Sequence, residues 1–351
     1  MRADAAGTVR DALIAAGARG LLVADENCPP ALLAGLPPGT RVLSNRWDLC
    51  VAARDCGLEV SFSDFALPAT ADLELIACRV PKERAVVRHL INRAWHALAP
   101  GGRLLLWGGK HTGIKTHGKE AASAFGGAPE VRKLGTDYLA VATRTGATLH
   151  SLDDADYEVL RPLLAYGARV LFTKPGLFGW DQIDPGSALL AAQLPGIFAA
   201  GGAPARLLDL GCGYGYLSVA AHAHGADADA VTATDTCAAA LLACAKNFAA
   251  HGIAGEVVPS DCADGIAEHF DLVLCNPPFH RGFAADQELC ARFFRAAASH
   301  LHRAGRALFV THRVVPAAAL AQGVFRSCEQ IAATPSFQVH LLQGPRRAPL
   351  T

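Results

Sequence analysis

The chain has 351 residues, 51% of them hydrophobic and 18% charged, with 32 basic side chains balanced by 32 acidic ones. That is enough apolar material for two domains with separate cores, and no uninterrupted apolar run reaches membrane-spanning length. A neutral balance speaks against tight binding to naked nucleic acid through bulk positive charge, because that affinity depends on neutralising phosphates.

The N-terminus carries Arg2, Asp4, Arg10 and Asp11 where a secretion signal would need an apolar stretch, so a cytoplasmic protein is expected. Eleven cysteines occur without a C-x-x-C pair, several within apolar runs, such as Cys78, Cys244 and Cys275. They read as small buried hydrophobes, and neither they nor the histidines show zinc-ligand spacing, so no metal is expected.

In chain order, Gly20–Asp25, Arg41–Ser44 and Leu58–Phe62 read as short strands alternating with helices. Strand Ala71–Cys78 then leads through a helical stretch, Glu83–Leu98, to a Pro-Gly-Gly turn and the apolar run Arg103–Trp107. This is the pattern of a parallel α/β sheet. Between Pro81 and Lys119 stand eight basic residues, including Lys110 and Lys115, against the single acid Glu83. Such a region reads as a phosphate-contacting surface, with Gly108–Lys115 as a cationic loop; a solvated helix face is the plainer alternative.

The second half repeats the plan with different residues at its turns. Strand Arg206–Leu210 runs into Asp209-x-Gly211-x-Gly213-x-Gly215, followed by the helix-like run Tyr216–His224. Glycines there let a backbone approach a ligand closely at a helix N-terminus. Two further acids close strands: Asp235 after Ala230–Thr234, where a ribose diol would be held, and Asp261 after Glu256–Ser260, where an adenine amino group would lie. Strand Phe270–Cys275 then enters Asn276-Pro277-Pro278-Phe279, and a helix over Gln287–His302 leads to Arg303–Val310. Two tandem doubly wound domains are implied. At the matching places the first has Ala24-Asp25-Glu26-Asn27 and Arg79-Val80-Pro81-Lys82, so it lacks both the glycine loop and the Asn-Pro-Pro-Phe turn.

Asn-Pro-Pro-Phe suits one chemical task. The lone pair of an exocyclic amine is delocalised into its ring or carbonyl, so a catalyst must draw it out. The Asn276 side-chain oxygen and the Pro277 carbonyl can each accept one N–H, which aims the lone pair at an electrophile in line. The prolines fix the local backbone, and Phe279 offers a flat face for stacking.

The Asp-x-Gly-x-Gly-x-Gly loop resembles the S-adenosylmethionine loop of class I methyltransferases. Together with the two-domain plan, the linking segment Thr173–Ser187 and the Asn-Pro-Pro-Phe-His signature, it looks like the small-subunit ribosomal RNA guanine-N2 methyltransferase family, methyltransferase C. The resemblance is specific from about Leu171 to Phe309 and looser before that. It implies two tandem Rossmann-like class I methyltransferase domains: a degenerate, RNA-binding one over 1–150, a linker and cofactor-mouth segment over 151–187, and a catalytic one over 188–351.

The activity implied is methyl transfer from S-adenosylmethionine to the exocyclic N2 of one guanine in ribosomal RNA, with the small subunit as partner and the enzyme acting as a monomer. Asn276, Pro277 and Phe279 would grip the flipped guanine. Asp209, Gly211, Gly213, Gly215, Asp235, Asp261 and Asn276 would surround the cofactor, and Pro278, His280, Arg281, Lys110 and Lys115 would meet the RNA. Phe178, Trp180 and Ile183 would pack over the cofactor mouth. Thr311-His312-Arg313 departs from the Asn that relatives tend to carry after the fifth strand. A large-subunit guanine-N2 methyltransferase, a protein-glutamine N5-methyltransferase and a non-catalytic ribosome-assembly factor remain the alternatives at this point.

Overall fold

The computed structural model describes residues 4–146, 148–167, 169–278 and 283–346, without the side chains of 164–166, 228 and 283–286. The chain divides into two compact units, Met1–Val159 and Leu160–Thr351.

In the first unit the strands are β1 (Gly20–Ala24), β2 (Arg41–Ser44), β3 (Glu59–Phe62), β4 (Leu73–Arg79), β5 (Leu98–Gly109), β6 (Glu130–Leu134) and β7 (Asp137–Thr143). Its helices are α1 (Ala5–Ala16), α2 (Pro30–Ala34), α3 (Trp47–Asp55), α4 (Arg84–Ala97) and α5 (Ile114–Phe125). A hairpin of β8 (Arg161–Tyr166) and β9 (Arg169–Thr173) opens the second unit. There follow α6 (Pro185–Ala191), α7 (Leu194–Gly201), β10 (Leu207–Leu210), α8 (Tyr216–Ala223), β11 (Val231–Asp235), α9 (Ala238–His251), β12 (Glu256–Pro259), β13 (Phe270–Cys275), α10 (Phe283–His300), β14 (Leu301–His312), α11 (Ala317–Gln322), β15 (Phe325–Ala333) and β16 (Phe337–Pro345).

The internal repeat is complete at the level of topology. One sheet has the order β3-β2-β1-β4-β5-β7-β6 and the other β12-β11-β10-β13-β14-β16-β15. Five strands of each are parallel, as the alternating pattern predicts, and the last two form an antiparallel hairpin that the apolar runs did not reveal. Two-sided burial explains the unbroken apolar strands. Leu208, Leu210, Val273 and Cys275 pack on one face of the second sheet, while Leu207, Leu272 and Leu274 pack on the other. Each such side chain taken fully from water contributes about 1.5–3 kcal/mol.

The repeat extends to a bulge. Both β4–β5 and β13–β14 shift register after their first pair, at Leu73/Leu75 and Phe270/Leu272. At each bulge a glycine lies against backbone: a Cβ on Gly102 would meet the Leu73 carbonyl oxygen at 2.8 Å, and one on Gly305 the Phe270 carbonyl oxygen at 2.9 Å. Glycine is the residue that fits there. The bulge also lets β5 and β14 begin at Leu98 and Leu301, earlier than the sequence pattern suggests.

Candidate active site

The site lies along the C-terminal edge of the second sheet. In the order β12-β11-β10-β13 the ends of these strands carry, in turn, Asp261, Asp235, the loop after Asp209, and Asn276. Strand order reverses between β10 and β13, the crevice where open α/β sheets bind ligands.

The glycine loop is built from positive φ angles: Gly211 at 78°, Gly213 at 56° and Gly215 at 83°. The Gly211 and Cys212 amides both donate to the Thr234 carbonyl at 2.9 Å, and the Gly215 amide closes a turn onto the Cys212 carbonyl at 2.9 Å. The three glycines differ in their surroundings. A Cβ on Gly215 would sit 2.8 Å from Cys244 Sγ and one on Gly211 3.2 Å from the Phe293 ring, whereas around Gly213 nothing lies within 4 Å. Gly211 and Gly215 therefore serve packing, and Gly213 leaves open room.

Asp209 does more than precede the loop. Its Oδ2 accepts from the Ser218 amide at 3.0 Å and from the Ser218 hydroxyl at 2.6 Å, so it satisfies the first turn of α8, whose own N-cap is Gly215. Its Oδ1 is buried without a partner among the described residues. Burial, reinforced by nearby Asp235 and opposed by the Ser218 bonds, pushes its carboxyl up to about 6. Asp235 accepts from the Gly213 amide through Oδ2 at 2.9 Å and from the Cys237 amide through Oδ1 at 2.8 Å. Asp261 is already paired, accepting from Arg292 at 2.6 Å, which holds the Arg292 guanidinium above its ordinary value. Next to it Cys262 and Ala263 take φ angles of 54° and 63°, the left-handed region that disfavours a Cβ. No glycine announces that turn in the sequence.

Asn276 leaves the end of β13 with its side chain fully oriented. Its Nδ2 donates to Asp184 Oδ2 at 2.9 Å and to Ser187 Oγ at 2.8 Å. Both amide hydrogens are used, and Oδ1 has no partner among the described residues. Pro277 is buried and its carbonyl accepts none of the hydrogen bonds among the described residues, while Pro278 is exposed. Phe279, His280 and Arg281 lie outside the described residues.

Asp184 also N-caps α6, accepting from the Ser187 amide at 2.7 Å, with Pro185 at the first helical position. No local pattern in the sequence marks its reach to Asn276. A second residue without a sequence signal is Asn247 on α9, which is wholly buried. Its Oδ1 accepts from the Phe172 amide at 2.7 Å, and its Nδ2 donates to the carbonyls of Phe172 at 2.9 Å and Tyr214 at 2.7 Å. This ties β9 to the glycine loop. Of the apolar linker residues, Trp180 and Ile183 pack against the core cluster that includes Tyr214, but Phe178 is 64% exposed.

Four of the eight basic residues between Pro81 and Lys119 have a partner. In the first unit Arg84 and Arg88 both bond Glu120, Arg93 lies near Glu158, and Lys115 Nζ stands 4.8 Å from the Tyr138 ring centre. Lys110 is exposed in the turn after β5, and it and Lys115 belong to the first unit, whereas the glycine loop and Asn276 belong to the second. The cysteines follow expectation: Cys78, Cys212 and Cys275 are buried, and their thiols are held well above the usual value, Cys78 and Cys275 chiefly by desolvation and Cys212 first by its hydrogen bond with Cys244. Among the described residues, no helix is long and apolar enough to cross a membrane.

A family profile described as the methyltransferase small domain matches residues 168–341. A ribosomal RNA small subunit methyltransferase C from Pseudomonas aeruginosa is 31% identical over 265 residues, spanning 74% of this chain and 76% of that one. The chain belongs to the ribosomal RNA small subunit methyltransferase C family. Relatives of the same name from Pseudomonas paraeruginosa, 29% identical over 90% of this chain and 95% of theirs, and from Shewanella loihica, 27% identical over 71% of each, extend the match. Among solved structures, the Thermus thermophilus 16S rRNA N2 G1207 methyltransferase in complex with AdoMet and guanosine superposes with a TM-score of 0.78, covering 96% of this chain and 91% of that one. At 24% identity that likeness is one of fold, and it spans both sheets.

Proposed function

We propose that this protein transfers a methyl group from S-adenosylmethionine to the exocyclic N2 of a guanine in 16S ribosomal RNA, acting as a monomer on the assembled small subunit. Family membership supports the reaction. The observation that carries it to particular atoms is Asn276, whose amide hydrogens are both engaged so that its oxygen is left to accept an N–H from an amine.

The residues present fit the cofactor. Asp209 Oδ1 is a buried acceptor in want of a donor, which the cofactor's ammonium would supply. Gly213 leaves room where a side chain would intrude, and Asp235, with each oxygen bonded once, keeps lone pairs for a diol. Asp261 would take the adenine amino group through the oxygen that Arg292 leaves. When bound, S-adenosylmethionine supplies an electrophilic methyl on a sulfonium.

The protein's own task is to aim the amine. The Asn276 oxygen and the Pro277 carbonyl accept its two hydrogens, drawing the lone pair out of conjugation, while Phe279 supports the ring of a base extruded from the RNA. No strong base is required, since the nitrogen gains acidity as it is alkylated and releases its proton to water. The first unit, with its exposed Lys110, would contact the RNA backbone.

The test is transfer of labelled methyl from S-adenosylmethionine to purified small subunits lacking the modification, followed by nucleoside analysis. Label in N2-methylguanosine of 16S RNA is the expected result. Label in large-subunit RNA or protein glutamine, when those are offered, would overturn the substrate assignment, and loss of no activity in Asn276→Ala would overturn the site.

A further inference from the structure

We infer that Asp184 and Ser187, at the N-cap and in the first turn of α6, are positioning residues that lock the Asn276 amide with its oxygen toward the acceptor amine; this rests on the reading of Asn276 given above. An asparagine amide at a strand end can rotate by half a turn and exchange its oxygen for its NH2. Only one of those orientations serves an amine acceptor, because the other opposes donor to donor.

Chemistry at the far side of the amide decides between them. A carboxylate can only accept, so Asp184 Oδ2, 2.9 Å from Nδ2, is compatible with the nitrogen and repels the oxygen. Ser187 Oγ, at 2.8 Å, takes the second amide hydrogen. A hydroxyl alone would tolerate either orientation; the pair with Asp184 does not. Helix capping does not require this arrangement, since the cap is complete with the single bond from the Ser187 amide to Asp184.

The local backbone is shaped around the contact. A Cβ on Gly186 would lie 3.0 Å from Asp184 Oδ2 and 2.9 Å from the Phe337 ring, so the residue between the two positioning groups has no space for a side chain. The consequence is selectivity for a nucleophile that carries N–H. A ring carbonyl or a deprotonated oxygen presented to Asn276 Oδ1 meets an acceptor that cannot turn away. The carboxylate behind the amide also polarises it toward the positive charge that grows on the nitrogen during alkylation.

A double-mutant cycle tests this. Ser187→Ala in the intact protein is expected to lower kcat on small subunits about tenfold, the worth of one hydrogen bond, with affinity for S-adenosylmethionine unchanged. The same change in the Asn276→Ala background is expected to lower kcat less than twofold, because Ser187 acts through Asn276. Asp184→Asn, which preserves an N-cap, should behave as Ser187→Ala does. An equal loss in both backgrounds, or a parallel loss of cofactor affinity, would mean a purely structural role and overturn the inference. A second readout needs no substrate: the side-chain amide protons of Asn276, identified by their absence in Asn276→Ala, should exchange with solvent at least tenfold faster in Ser187→Ala. Unchanged exchange would overturn the inference, whereas failure of the wild type to form N2-methylguanosine would fall on the proposed function and leave the exchange result standing.

Discussion

Asn247→Ala should loosen the glycine loop from a distance. The side chain makes three bonds of 2.7–2.9 Å, two to the backbone of Phe172 and one to the carbonyl of Tyr214. Pro162 lies opposite Phe172 in the β8–β9 hairpin, and the Asn247 amide occupies the place of a neighbouring strand on Phe172's other side. Truncation leaves the Tyr214 carbonyl buried without a donor, at a cost of about 1–3 kcal/mol. The two Phe172 groups are only partly buried, so water can reach them and each adds about 0.5–1 kcal/mol. The sum is about 3 kcal/mol, a large fraction of the stability of a domain. Urea denaturation of the variant, with hydrogen exchange read at the Phe172 amide, measures it. We expect stability to fall by about this amount, the Phe172 amide to lose at least tenfold in protection, and S-adenosylmethionine to bind at least tenfold more weakly because Tyr214 belongs to the loop. If stability changes by less than about 0.5 kcal/mol and the Phe172 amide stays protected, the tie between β9 and the loop is not carried by Asn247.

Gly213→Ala and Gly215→Ala should separate binding from packing. The first has no neighbour within 4 Å of the new methyl, so it should cost only about 1–2 kcal/mol for its left-handed φ yet weaken cofactor binding in a titration at least tenfold; the second, with Cys244 Sγ at 2.8 Å, should cost about 3 kcal/mol, partly recovered by Cys244→Ala. Because the Asp209 carboxyl is raised to about 6, it is ionised at pH 7.5 and protonated at pH 5; affinity for the cationic cofactor should be level above pH 6 and fall toward tenfold per unit below it, and Asp209→Asn should abolish that slope. In the first unit burial, reinforced by Glu26, raises Asp25 from 3.8 to about 6, so its ionised form opposes folding by about 3 kcal/mol well above pH 6 and by nothing once both states are protonated below about pH 3. Asp25→Asn should therefore stabilise that unit at pH 8 by up to this amount in thermal melts, with the gain gone at pH 3.

What the sequence disclosed and what it hid divide along the range of the interactions. The glycine loop and the Asn-Pro-Pro turn were legible because their constraints are local: glycines at positive φ, and prolines that fix a strand end. The strand-end acids Asp235 and Asp261 were legible from the apolar runs before them, although the pairing of Asp261 with Arg292, a helical residue far along the chain, was not. Asp184, Ser187 and Asn247 work across separations of 92, 89 and 75 residues, and no local pattern marks a contact of that kind. Part of the basic stretch was opaque for the same reason. Arg84 and Arg88 look unopposed within their helix, yet the fold brings Glu120 from α5 between them and lowers its carboxyl to about 2. A count of charges along the chain sees the cations and not the partner the fold supplies.

The comparison of the two sheets explains why one kept the site. Their strand orders match, and so do the glycine bulges that start β5 and β14, so the frame that would position a site is present twice. What differs is the chemistry at two turns. After β1 no residue from Asp25 to Cys28 takes a positive φ, and the turn is closed by Asp25 itself, whose carboxylate accepts from the amide and the side chain of Asn27 at 3.0 Å. Such a turn directs its acid inward onto its own backbone and leaves no open position like that at Gly213. After β4 the chain continues to pair, with the Val80 amide donating to the Trp107 carbonyl at 2.9 Å, where Asn276 turns out of the sheet to meet Asp184. Restoring one glycine to the first unit would therefore not recreate a cofactor loop. The left-handed turn, the departing strand end and the carboxylate that captures its amide are separate requirements, and the first sheet meets none of them.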